Sequence, residues 1–211
     1  MRRRSKYRLL AAGLLLTLGI GPFARTASAA VDDGTSAVRG VGMLSCSQYI
    51  SLIEEESPAV EMVAGWIDGF TTGLNATTAG VFDHLPWQRT DLVMQLLANH
   101  CSANQNDVLA NALNLFIRAT AATRLTEVSE LIEIPLPDGD GALEVYQATL
   151  ARVQSMLADL GHYDSTVDGL YGPGTAEAIR AFQAEEGLPE TGLPDQRTLL
   201  VLFAPTFEGV N

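Results

Sequence analysis

Cysteine and histidine are the residue types in this chain best suited to nucleophilic or metal chemistry, and their spacing limits what they can do. Cys46 and Cys101 are its two cysteines, and His84, His100 and His162 its three histidines. A cysteine nucleophile needs a base placed to take its proton. His100 precedes Cys101 directly, but neighbours on a helix point about 100° apart, so the two do not face one another. His84, His100 and the two thiols could ligate zinc, yet their spacing matches no common zinc pattern. Three histidines so scattered also fall short of the ligand set of a metallo-amidase. Among 25 Asp+Glu, accidental carboxylate pairs are too many to single out a glycosidase pair. Glu54-Glu55-Glu56 and Glu185-Glu186 read as solvated helix ends. We therefore expect no catalytic residue, no metal site and no cofactor. Cys46 and Cys101 are expected to form a disulfide in an oxidising compartment, stabilising a small domain by roughly 2–4 kcal/mol.

That compartment is written at the start of the chain. Arg2, Arg3, Arg4, Lys6 and Arg8 precede an apolar run from Leu9 to Ile20, and Ala27-Ser28-Ala29 supplies small residues for cleavage. The pattern predicts a secretory signal peptide over 1–29. Its apolar run is shorter than the ~20 residues that span a bilayer, so no membrane anchor is expected after cleavage. The expected location is periplasmic or secreted, associated with the cell wall. Of the 13 Lys+Arg, six lie in the signal, leaving seven against 25 Asp+Glu, a net charge of −18 with no lysine. So acidic a surface disfavours nucleic acid and anionic lipid as partners.

The elements that would position the cysteines follow. Residues 30–42 are small and lack apolar periodicity, as a mobile leader does. From 43 to 122 the chain reads as a four-helix domain. A short helix carries Gln48 to Ile53, and a second begins after Ser57-Pro58 with Val60, Val63, Ala64, Ile67 and Phe70 on one face. The small glycines Gly65 and Gly69 suggest a close helix contact there. A third helix presents Leu92, Val93, Leu96 and Leu97 and ends at His100-Cys101; a fourth, capped by Asn104 or Asn106, presents Leu109, Leu113, Phe116 and Ile117. Trp66 and Trp87 read as core residues rather than sugar platforms. Asn75-Ala76-Thr77 has the form of a glycosylation acceptor, a common accidental string.

The order helix, Cys46, Trp-bearing helix, helix, Cys101, helix resembles the small acid-stress periplasmic chaperones of the HdeA type. The resemblance rests on Cys46, Gly65-Trp66-Ile67-Asp68-Gly69-Phe70 with Gly73 and Asn75, then Leu96-Leu97, His100-Cys101, Asn104 and the helix from Val108. It implies a holding function for unfolded clients at low pH. This segment differs from those chaperones in having no lysine.

Residues 123–141 read as a linker: Leu125, Val128, Leu131 and Ile132 could prolong the preceding helix, and Pro135 to Gly141 is Pro-, Gly- and Asp-rich. Over 142–205, three helices around one core are expected, followed by a tail at 206–211. Leu143, Tyr146, Leu150, Val153, Leu157 and Leu160 recur at helical steps before Gly161, and Gly172-Pro173 starts a second helix with Ala178, Ile179 and Phe182 inward. After Gly187, the Gly192 to Asp195 turn leads to Leu199, Leu202 and Phe203.

With Leu160-Gly161, Tyr163, Val167-Asp168-Gly169, Tyr171-Gly172, Thr175, Ala178, Phe182-Gln183, Gly187-Leu188, Gly192, Thr198 and Leu202 in one register, this part closely resembles the small three-helix peptidoglycan-binding domains attached to cell-wall hydrolases. The fold class is thus all-α. The resemblance implies a peptidoglycan groove at Asp168, Tyr171, Gly172, Thr175 and Gln183. The chain is expected to be a non-enzymatic exported protein that binds peptidoglycan and localises its helical domain at the wall. Alternatives are a periplasmic acid-stress chaperone acting on an unfolded client, or an inhibitor or immunity factor acting on an envelope protein that works on the wall.

Overall fold

The structure is a computed structural model and describes residues 37–137, 139 and 141–207. The signal-peptide expectation over 1–29 lies outside the described residues. The fold is mostly helical, with seven α-helices and one two-stranded hairpin among the described residues.

Four helices build the first unit: α1 (Cys46–Glu54), α2 (Ala59–Thr77), α3 (Thr90–Ala103) and α4 (Leu109–Ala119). Ser45 starts α1 with a reciprocal cap, its hydroxyl accepting from Gln48 N while the Gln48 side chain accepts from Ser45 N, which satisfies two otherwise orphaned amides. Cys46 and Cys101 are joined in a disulfide that ties the first turn of α1 to the last turn of α3. Around it pack Tyr49, Val63, Ile67, Leu97, Leu109 and Leu113, all buried. Tyr49 donates its hydroxyl to the Met94 carbonyl at 3.0 Å, and burial pushes its pKa up to about 12.

Two local expectations are corrected here. Neither Asn104 nor Asn106 caps α4: Val108 precedes it, and the Leu44 carbonyl accepts the Leu109 amide at 2.9 Å. Asn104 instead closes α3, its amide group donating to the His100 carbonyl. Gly65, Gly69 and Gly73 make no close helix contact; the space beside each is open. Gly42 is the glycine that lets backbone approach, for a side chain there would collide with the Trp66 ring. Trp66 lies half-buried against this core, with Phe70 5.3 Å away.

The stretch expected to connect the units holds β1 (Leu131–Pro135), which pairs antiparallel with β2 (Ala142–Tyr146) in the register Ile132↔Val145 and Ile134↔Leu143. Leu131, Ile132, Leu143 and Tyr146 therefore belong to strands rather than to the helices expected. Alternation explains the difference: Ile134 and Val145 are buried while Glu133 and Glu144 face out, the period-2 signature of a half-buried hairpin. The Pro- and Gly-bearing stretch supplies the hairpin turn, with Leu136 N donating to the Gly141 carbonyl.

Three helices follow: α5 (Gln147–Asp159), α6 (Pro173–Glu185) and α7 (Gln196–Phe203). Leu150, Val153, Leu157, Ile179, Phe182, Leu199, Leu202 and Phe203 share one core with Ile134 and Val145 of the hairpin. That core extends into the first unit. Trp87 and Leu92 are members of it; Trp87 packs tilted against Phe203, ring centres 5.4 Å apart, and stacks on Phe207 at 6.4 Å. Arg89 N donates to Gln196 Oε1 at 2.9 Å, and the Gln196 side chain donates back to the Trp87 carbonyl. Leu125 further pairs with Asp83 across an isolated bridge.

Candidate peptidoglycan-binding site

The Val167–Thr175 turn is built outward from a buried glutamine. Gln154 occupies a core-facing position of α5, where an apolar residue would be ordinary, so every polar atom of its amide must find a partner inside. Its Oε1 accepts the Asp168 and Gly169 amides at 3.0 and 2.8 Å. Its Nε2 donates to Asp168 Oδ1, the Leu170 carbonyl and Thr175 Oγ1, all within 3.1 Å. One side chain thus substitutes for regular backbone pairing across the whole turn.

Asp168 closes the turn locally, its Oδ1 also accepting from Leu170 N at 2.9 Å. The Leu170 amide, with Gln154 next in weight, holds the Asp168 carboxyl below its ordinary value. Gly169 adopts φ +71° against Gln147, whose carbonyl oxygen would lie 2.6 Å from an added Cβ. Tyr171 donates its hydroxyl to the Gly192 carbonyl at 2.8 Å; burial raises its pKa against the opposing effect of Arg180. Gly172 is the residue before α6, and Pro173 is its first residue, as expected.

A second turn repeats the device. Gln183 Oε1 accepts the Gly192 amide at 2.8 Å, and its Nε2 donates to Thr191 Oγ1, the Leu193 carbonyl and Thr198 Oγ1. Gly192 has φ +72°, nearly that of Gly169, and Thr198 stands to Gln183 as Thr175 stands to Gln154. Both preceding helices also end alike: His162 N donates to the Leu157 carbonyl and Leu188 N to the Gln183 carbonyl, each at 2.8 Å, beyond glycines in the left-handed region.

The five residues expected to line a groove therefore divide. Asp168 is exposed, and Tyr171 and Gly172 are half-buried at the same surface. Thr175 and Gln183 are 3% and 0% exposed, with their polar groups engaged inside the domain. They hold the turns and do not reach the surface. Beside Tyr171 the turn exposes Val167 and Leu170, at 46% and 52%. No side chain caps the start of α6, whose first residue, Pro173, has no N–H, so the Gly174 and Thr175 amides carry the positive end of the helix dipole without a side-chain partner at the cap.

Elsewhere the chemically capable residues are tied into structure. His100 contacts Asp107 at 2.9 Å and His162 contacts Glu185 at 3.0 Å. His84 is buried against Thr78, its pKa lowered by burial and then by Arg124. Asn75 accepts from His84 N and donates to Asp83. Among the described residues no three His, Cys, Asp or Glu side chains converge to hold a metal ion, and no helix is long and apolar enough to cross a membrane.

Gln154 is the residue that sequence reasoning missed. A glutamine between Leu150, Val153 and Leu157 on the inward face was the available signal.

A helix–turn–helix–turn–helix unit with two glutamine-clamped turns is the class this fold defines. Residues 147–202 match the family model described as "Putative peptidoglycan binding domain". The match spans all three helices of this segment. Among curated proteins, the chain is similar to the "Putative OxPP cycle protein OpcA" of Synechococcus elongatus, at 44% identity over 30% of this chain and 16% of the relative. The protein of that name from Nostoc punctiforme is 47% identical over 24% of this chain and 11% of its own length. The "Localization factor PodJL" of Caulobacter vibrioides is 42% identical over 25% of this chain and 5% of its own length. The chain thus covers 16% or less of these relatives. No solved structure matches it.

Proposed function

We propose that the chain is an exported, non-enzymatic protein that binds peptidoglycan through residues 147–202 and holds its disulfide-closed helical unit at the cell wall. The observation that carries this reading is the first clamped turn. It presents Val167, Asp168, Leu170, Tyr171 and Gly172 beside the uncapped start of α6, in a segment matched to peptidoglycan-binding domains. Exposed apolar side chains suit the faces of sugar rings, and helix-start amides suit a carboxylate. The name of a relative that is a localisation factor supports a localising role. The test is sedimentation of the chain without residues 1–29 with purified sacculi. We expect it to pellet, and Leu170→Asp to reduce the pelleted fraction without altering the helical spectrum. A protein that stays in the supernatant overturns the reading.

A second reading makes the first unit a holding chaperone at low pH. What favours it is an apolar groove of about 540 Å³ lined by Leu96, Leu97, Leu115, Phe116, Leu200 and Phe207, wide enough for apolar side chains of an unfolded client. Suppression of client aggregation near pH 3 would support it; aggregation unchanged by the protein at every pH would remove it.

A further inference from the structure

Seven arginines are the cations of residues 37–207 other than histidine, and six of them are exposed. Arg152 is the exception. It lies half-buried on α5 and donates through Nη1 to the Ala122 carbonyl at 2.8 Å. Neither Arg152 nor Arg124 forms an ion pair among the described residues. Yet both line a single pocket of about 510 Å³, between the Arg124–Glu130 segment and the first turns of α5.

The pocket's polar groups define what it can take. The first two amides of α5 are already used, Gln147 N by the Glu130 carbonyl and Ala148 N by the Ser129 hydroxyl. The attraction for an anion therefore comes from the guanidinium groups. Burial lowers the pKa of Arg152, and a cation drawn partly out of water gains most from a hydrogen-bonded anion. Arg152 keeps donors beyond the one given to Ala122, and a guanidinium fork matches a carboxylate with two parallel bonds. Glu127 and Glu130 stand on the exposed rim of the same pocket without pairing to either arginine. The pocket thus sets two cations, one half-buried and one exposed, beside two exposed anions, the complement of a peptide end that carries a carboxylate and an amine.

We propose that the Arg124–Arg152 pocket binds the terminal carboxylate of a short peptide, Arg152 forming the inner contact and Arg124 the outer one, with Glu127 and Glu130 facing an amine on the same ligand. Gln147 lines this site and donates to the Asp168 carbonyl of the neighbouring turn, and the site draws on residues before the matched domain. The choice of a D-alanine-terminated peptide as the ligand rests on the wall-binding reading.

The test is calorimetric titration of the chain without residues 1–29, with D-alanyl-D-alanine, its C-terminal amide and inorganic phosphate as probes. We expect the dipeptide to bind, and amidation to weaken it about tenfold or more, as loss of charge-assisted hydrogen bonds does. Arg124→Gln and Arg152→Gln should weaken the dipeptide similarly. Should Arg152→Gln fail to fold, the exposed Arg124→Gln decides. Equal affinity for dipeptide and amide, phosphate binding as tight as the dipeptide, or unchanged binding by Arg124→Gln each overturns the proposal. A chain that sediments with sacculi but does not bind the dipeptide overturns it while the wall-binding reading stands.

Discussion

Gln154 Oε1 lies 2.8 Å from the Gly169 amide, and Gln183 Oε1 lies the same distance from the Gly192 amide. Two turns of different sequence are thus held by one device, a buried glutamine that accepts from a left-handed glycine and donates to the first-turn threonine of the next helix. Replacing either glutamine by leucine should cost roughly 2–4 kcal/mol, because buried amides and carbonyls lose partners that water cannot replace. Urea unfolding of Gln154→Leu and Gln183→Leu measures this. A loss under about 0.5 kcal/mol in both would show that the turns hold without the clamp.

Gly169 and Gly161 both take positive φ, +71° and +82°, but only Gly169 abuts backbone. Gly161→Ala should therefore cost about 1 kcal/mol, the usual penalty for a left-handed residue with a Cβ. Gly169→Ala should cost distinctly more, since the Cβ also displaces Gln147. Comparing the two melting temperatures isolates the steric part.

The disulfide closes a loop of 55 residues, which in the chain-entropy account corresponds to about 4 kcal/mol. The double variant Cys46→Ser, Cys101→Ser should lower unfolding free energy by 2–4 kcal/mol or more, since two hydroxyls are then buried in an apolar core. In calorimetry the unfolding of this variant should broaden or divide relative to the intact chain as the first unit melts ahead of the second.

Stability should fall at both ends of the pH scale for identifiable reasons. Asp168 has a folded pKa below its ordinary 3.8, so its contribution is complete above that value and disappears as pH falls through the folded one. Asp168→Asn should flatten this acid limb in urea unfolding between pH 2 and 6. Tyr49 behaves oppositely: its pKa is raised from 10.0 to about 12, so its contribution is complete below pH 10 and is lost as pH rises towards 12. Tyr49→Phe should reduce the alkaline dependence, leaving the part contributed by Tyr146 and Tyr171, whose pKa burial also raises.

Much of this fold was legible in the sequence because helical steps and glycine stops are local signals. Leu150, Val153 and Leu157 fell on one face of α5, and Gly161 and Gly187 ended α5 and α6 where expected. The hairpin was not legible for a physical reason: Leu143 and Tyr146 stand at a helical step, while Ile132 with Ile134 and Leu143 with Val145 alternate, and only pairing between distant segments selects the strand. The candidate site was half legible. Its turn chemistry located Asp168, Tyr171 and Gly172 at the surface, whereas the inward orientation of Thr175 and Gln183 depends on hydrogen bonds to residues 15 to 21 positions away. The contact of Trp87 with Phe203 is more distant still, and no local pattern announces it.

That contact makes orientation part of what the chain delivers. A flexible leash would let the first four helices sweep a volume around any anchorage of the last three. Trp87 wedged against Phe203, with Gln196 bonded to its backbone, makes the chain a bracket. Gripping a surface with one arm sets the angle at which the other arm is held out.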